Sequence, residues 1–113
     1  NAGNAMTTGN KNVAIGQNAG YALTDGERNT VLGYQALYIN TTGYWNNAFG
    51  YQALYSNTTG IKNSAFGHSA LYSNNSEGNS AFGYEALKTN STGYNNIGIG
   101  RGALYANTTG TKS

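Results

Sequence analysis

The chain has 113 residues, a net charge of +2, 17 glycines, and neither proline nor cysteine. Charged residues make up only 9% of it, against about 25% in an ordinary soluble domain. The missing cysteines exclude disulfides and thiolate metal sites. The dispersed basic residues point away from nucleic acid, and no apolar run approaches the roughly 18 residues of a membrane span, so no membrane insertion by this segment is expected.

Self-similarity organises the chain. Asn1 to Lys11 (NAGNAMTTGNK) matches Asn18 to Arg28 (NAGYALTDGER) and reads as the rear part of a repeat. Repeats then begin at Asn12, Asn29, Asn46, Asn63, Asn79 and Asn96. Their spacing is 17 residues except for one step of 16, which arises because the turn Asn74 to Gly78 is shorter than Asn57 to Lys62. A fixed period of this size marks a repeat architecture, with length changes falling in loops. The expectation is an all-β fold: one parallel β-solenoid domain spanning residues 1–113, a segment of a longer fibre. Stacked coils repeat at the strand spacing of about 4.8 Å, giving a rod roughly 30 Å long.

Each repeat has three parts. The first is strand-like, as in Asn63-Ser64-Ala65-Phe66-Gly67. Its large apolar position reads Ile15, Leu32, Phe49, Phe66, Phe82, Ile99 down the repeats. The position before it is small: Ala14, Val31, Ala48, Ala65, Ala81, Gly98. The two positions point to opposite faces in a strand, and the small column predicts close approach of another backbone or sheet. The second part is Tyr51-Gln52-Ala53-Leu54-Tyr55 and its equivalents. Five residues fit either a strand or one helical turn; the surrounding Gly and Asn-Thr-Thr-Gly punctuation favours an extended segment. The third part is the turn itself, Asn40 to Gly43, Asn57 to Gly60 and Asn107 to Gly110, with Asn90-Ser91-Thr92-Gly93 as a variant. Asn and Gly accept left-handed backbone there.

The segments Asn12-Val13-Ala14-Ile15-Gly16, Asn63-Ser64-Ala65-Phe66-Gly67 and Asn96-Ile97-Gly98-Ile99-Gly100 resemble the head repeats of trimeric autotransporter adhesins (YadA-like heads). The resemblance implies a left-handed parallel β-roll, with three chains packed side by side. The period here is longer than in those heads, and the Y-x-A-L-Y and N-T-T-G portions are additional. The longer pattern is similar to repeat regions of bacterial surface proteins and phage tail-fibre-like proteins.

No residue pattern points to catalysis, a metal site or a cofactor. The one histidine, His68, occupies a slot held by Tyr34, Tyr51 and Tyr84 elsewhere, so it reads as a substituted column member. Asp25 and Glu27 share a turn, but a calcium loop needs more oxygen ligands at set spacing. Two aromatic columns stand out: Tyr34, Tyr51, His68, Tyr84, and Tyr21, Tyr38, Tyr55, Tyr72, Lys88, Tyr105. They are the candidate ligand or interchain face, since aromatic rows stack on sugars or fill interfaces. Asn40, Asn57, Asn74, Asn90 and Asn107 each begin an N-x-S/T sequon and are glycosylation candidates. Lys11, Arg28, Lys62 and Lys112 share a basic column with Trp45 and Asn95.

The function expected from this is a non-enzymatic structural and adhesive module of an extracellular or cell-surface fibre. Its partners would be itself, as a homotrimer or an end-to-end filament, and a host surface or glycan. The alternatives are the receptor- or glycan-binding part of a phage-like tail fibre on a virion and, below it, an ice-binding solenoid.

Overall fold

A computed structural model describes residues 1–3 and 9–113. The described residues contain no helix. They hold six strands of three residues each: β1 Val13–Ile15, β2 Thr30–Leu32, β3 Asn47–Phe49, β4 Ser64–Phe66, β5 Ser80–Phe82 and β6 Ile97–Ile99. These pair in chain order as one parallel sheet, with equivalent residues in register from Val13↔Thr30 to Phe82↔Ile99. The fold is therefore a parallel β-solenoid with coils of about 17 residues. It forms a rod 35 Å long and 20 by 16 Å across. Of the partial repeat expected over residues 1–11, residues 4–8 lie outside the described residues. On either side of them the backbone N–H of Gly3 donates to Ala19 O at 2.7 Å and that of Gly9 to Thr24 O at 2.9 Å.

The strands place their small residues inside and their large ones outside. Ala48, Ala65 and Ala81 are fully buried, whereas Ile15 is 58%, Leu32 43% and Phe82 41% exposed. The interior is narrow, and the largest residue it holds in this column is Val31. A Cβ on Gly98 would lie 3.1 Å from Leu87 Cγ and 3.2 Å from Ala103 O, on the opposite wall of the coil. The backbone expected near the small column is thus the Ala-Leu segment.

That segment is not extended, contrary to the sequence-based expectation. It is a run of tight turns, closed by Ala36 N–H to Gly33 O at 3.3 Å and, in the next coil, Asn57 N–H to Leu54 O at 3.2 Å. Gln35 and Leu37 have φ of 52° and 50°, and the same two positions are left-handed in the following coils at Gln52, Leu54, Ser69, Leu71, Glu85 and Leu87. The reason is burial. Ala36 and Leu37 are adjacent, and both are fully buried. A period-two strand would expose one of them, and alternating backbone hands do not. Left-handed geometry costs an L-residue about 1–2 kcal/mol, which burial of a Leu side chain, worth about 1.5–3 kcal/mol, offsets. The first coil departs from this pattern. Gly20 stands where later coils have Leu, and Leu23, three residues on, fills the space and is fully buried.

Two asparagine ladders form the polar spine. Asn29, Asn46, Asn63, Asn79 and Asn96 are all fully buried. Each side chain does two jobs. The Asn29 amide donates to Gly43 O at 2.9 Å, closing its own coil, while its Oδ1 accepts the backbone N–H of Asn46 at 2.9 Å, fixing the next. The second ladder is Asn40, Asn57, Asn74, Asn90 and Asn107; Asn57, for example, donates to Gly60 O at 3.0 Å and to Asn40 Oδ1 at 3.1 Å. Among the described residues no buried side-chain nitrogen or oxygen lacks a partner, as a low-dielectric interior requires.

The short coil is repaired by a side chain. Elsewhere three successive turn N–H groups converge on one carbonyl of the next coil: those of Thr24, Asp25 and Gly26 reach Thr41 O at 3.0–3.1 Å. Where one residue is missing, Asn75 Oδ1 takes that place. It accepts the N–H groups of Thr58, Thr59 and Gly60 at 2.9, 3.0 and 3.2 Å and the Thr58 hydroxyl at 3.0 Å.

Two substitutions follow from this geometry. Gly50 has φ 138°, and a Cβ there would lie 2.5 Å from Gly67 O; Gly50→Ala is expected to cost at least about 2 kcal/mol in urea unfolding, from strained φ and overpacking together. Asn75→Ala is expected to cost about 1–3 kcal/mol by stranding N–H donors, whereas Asn75→Asp keeps an acceptor in place and retains most of the stability. Equal losses in the two Asn75 variants would contradict the repair.

Candidate interaction surface

The rod has no enclosed cleft among its described residues, and its sides carry lengthwise columns of side chains. Four lengthwise columns make up the side that carries the strands. The first is small and polar at its centre: Thr30, Asn47, Ser64 and Ser80, with Val13 and Ile97 at its ends. The second is Ile15, Leu32, Phe49, Phe66, Phe82 and Ile99, turned outward. A bare glycine column from Gly16 to Gly100 follows, and then Tyr34, Tyr51, His68, Tyr84 and Arg101. Sequence reasoning singled out the Tyr columns and passed over the second column as a surface. The signal was present: a strand whose inner position accepts only Ala, Val or Gly must turn its larger partner out.

The aromatic columns are continuous stacks. Tyr34–Tyr51, Tyr51–His68 and His68–Tyr84 have ring centroids 5.2, 4.8 and 5.0 Å apart, tilted by 13–22°. Tyr38–Tyr55 and Tyr55–Tyr72 lie 5.2 and 5.0 Å apart, and Phe49–Phe66 and Phe66–Phe82 lie 4.7 and 4.9 Å apart. Tyr105 is separated from the Tyr72 stack by Lys88, whose ammonium sits 5.8 Å from the Tyr105 ring centre. Arg101 covers Tyr84 at 5.7 Å. This geometry bears on how the columns could meet a sugar. Ring faces are turned along the rod and covered by neighbouring rings or cations, so within the stacks only edges and hydroxyls face outward.

The sequon asparagines lie inside the rod. Asn40, Asn57, Asn74 and Asn90 are fully buried; the Asn40 amide donates to Gly43 O in its own turn, and those of Asn57, Asn74 and Asn90 donate to the asparagine of the preceding coil. Asn107 belongs to the same ladder, donating to Asn90 Oδ1 at 3.0 Å. A glycan needs that same nitrogen exposed, and the folded rod does not present it.

The basic column is built around Trp45, which is flanked by Arg28 at 5.7 Å and Lys62 at 5.5 Å from its ring centre. Tyr44 meets Trp45 edge-on at 5.2 Å. Lys11, Arg28, Trp45, Lys62, Asn95 and Lys112 share a left-handed backbone with φ of 56–59°, which projects the column from one edge. Arg28 also reaches Glu27 at 3.4 Å. Among the described residues no three His, Cys, Asp or Glu side chains converge.

Two groups in the stacks titrate away from their ordinary values. Burial pushes the Tyr55 hydroxyl above 10.0, and charge on Tyr72, Tyr38 or Tyr34 would push it further. The Lys88 ammonium is raised mainly by its hydrogen bond to Glu85, a 2.6 Å ion pair, with burial working against it. The chain matches no protein-family model, no curated protein and no solved structure.

Both shifts have the same consequence. A group whose folded pKa is raised contributes stability that is intact below its unfolded value and lost as pH rises through the folded one. The unfolding midpoint is expected to hold below about pH 10 and to fall above it, with Tyr55→Phe flattening the fall. Thermal unfolding across an alkaline pH series checks this; a midpoint that is flat in both proteins would contradict it.

Proposed function

We propose that this chain is a rod-forming, non-enzymatic module of an extracellular fibre, acting through structure and adhesion and assembling with copies of itself. The observation that carries the reading is lengthwise repetition. Six in-register strands and two asparagine ladders give every coil nearly the same outward set of groups. A fibre needs that kind of surface: extended, uniform, and able to multiply one weak contact by the number of coils. A catalytic site needs the reverse, several different groups converging on one point.

The N-x-A-x-G strand segments that resemble autotransporter heads support side-by-side packing of three chains. Location on a cell or virion surface belongs to the same reading. The tail-fibre alternative relies on a glycan-binding Tyr face, which the covered ring faces do not favour. The ice-binding alternative relies on free threonine ladders. The Thr24 and Thr41 hydroxyls instead donate to carbonyls of the next coil, at 3.1 and 3.4 Å.

Static light scattering tests the assembly directly. The expected particle mass is three times the 11.8 kDa of one chain, independent of concentration across the micromolar range. A particle of one chain at every concentration would overturn the self-assembling fibre reading.

A further inference from the structure

We infer that the outward face of the strands, rather than either tyrosine column, is the surface on which a second copy of this chain sits. This rests on the self-assembling reading above and adds the location of the contact.

Charge distribution is the first argument. All ten charged residues lie outside β1–β6. The twelve outward strand positions are Val, Ile, Thr, Leu, Asn, Phe and Ser only. Within the rod, Leu32 and Phe82 are 43% and 41% exposed, and Phe49 and Phe66 between them are half-buried. Depletion of charge at a patch with aromatic and aliphatic side chains is the compositional mark of an interface core.

Shape and size are the second. The glycine column beside the apolar one leaves a strip without side chains, so a partner can approach the backbone. The strand face is three residues, about 10 Å, wide and runs along a 35 Å rod, about 350 Å² in projection, so the contact gains its extent by repeating at each coil along the rod.

The third argument selects the occupant. A saccharide would stack on open ring faces, but Phe49, Phe66 and Phe82 cover one another at 4.7 and 4.9 Å and present only a ridge of edges. A membrane surface would be met by a basic rim, and the apolar column is bordered instead by Thr30, Asn47, Ser64 and Ser80. A second rod has the matching properties: the same uncharged ridge, the same coil spacing along its whole length, and contacts that repeat at each coil.

Ser64 in the central strand β4 places a probe on this face, and the chain has no native cysteine to interfere. Ser64→Cys in the otherwise unchanged chain should be linked to a second chain by a short bismaleimide, whereas Thr59→Cys, at the turn, should not. In parallel, Phe49→Ser with Phe66→Ser should reduce the light-scattering mass about threefold to that of one chain, while Tyr38→Ser with Tyr55→Ser should leave it unchanged. If the unchanged chain forms multi-chain particles but Ser64→Cys fails to link, the strand face is wrong and the fibre reading stands. If the unchanged chain is a single-chain particle, both fall. The cysteine experiment reads out even where the Phe pair fails to fold.

Discussion

The structure depends on one constraint: identical asparagines must stack one coil apart. Each inner asparagine bonds its own turn through the amide nitrogen and the next coil's backbone through the oxygen. Asn46, for instance, reaches Gly60 O at 2.8 Å and receives Asn63 N–H at 3.0 Å. No other side chain supplies one donor and one acceptor at that reach without an extra methylene to house. Coil closure and coil stacking are therefore the same interaction, and a shift of register would break both. This explains how a chain with three-residue strands holds a six-stranded sheet. The ladders carry the specificity that longer strands would otherwise provide.

The interior that results is narrow, and its narrowness sets the surface. A small inner residue (Ala, Val31 or Gly98) opposes the Ala-Leu segment or its Ala19-Gly20 equivalent across each coil, so larger side chains of the strands are placed outside. The outward columns then stack at about the coil spacing because their backbones do. Aromatic stacking is thus a consequence of the ladder, adding about 0.5–1.5 kcal/mol per pair. It also limits what the columns can recognise, since rings used to cover one another are not available to a ligand. The uncharged strand ridge and the covered ring faces are two results of the same packing.

The architecture was legible in the sequence because repetition is visible without knowing any contact. The period, the strand position of Val13 to Ile15 and its equivalents, the parallel register and the close approach at the Ala column could all be read directly. The turn run at Tyr51 to Tyr55 was not. Its left-handed residues are Gln and Leu, which carry no left-handed preference, and only the paired burial of Ala53 and Leu54 demands that geometry. The burial of the sequon asparagines was hidden for a related reason. Asn-Thr-Thr-Gly is the same string whether its asparagine faces solvent or the core, and the inward direction is set by the neighbouring coil. The Tyr columns were found as columns, but whether a row offers faces or edges depends on side-chain rotation, which spacing does not encode.

Backbone hydrogen exchange tests the ladder most directly. The amides of Asn46, Asn63 and Asn79, whose acceptors are the side-chain oxygens of the preceding coil, should exchange only through global unfolding. They should share one protection level with the strand amides of Ala48, Ala65 and Ala81. Protected strand amides beside rapidly exchanging Asn46, Asn63 and Asn79 amides would contradict the account, because the sheet would then be holding the coils together without the asparagines.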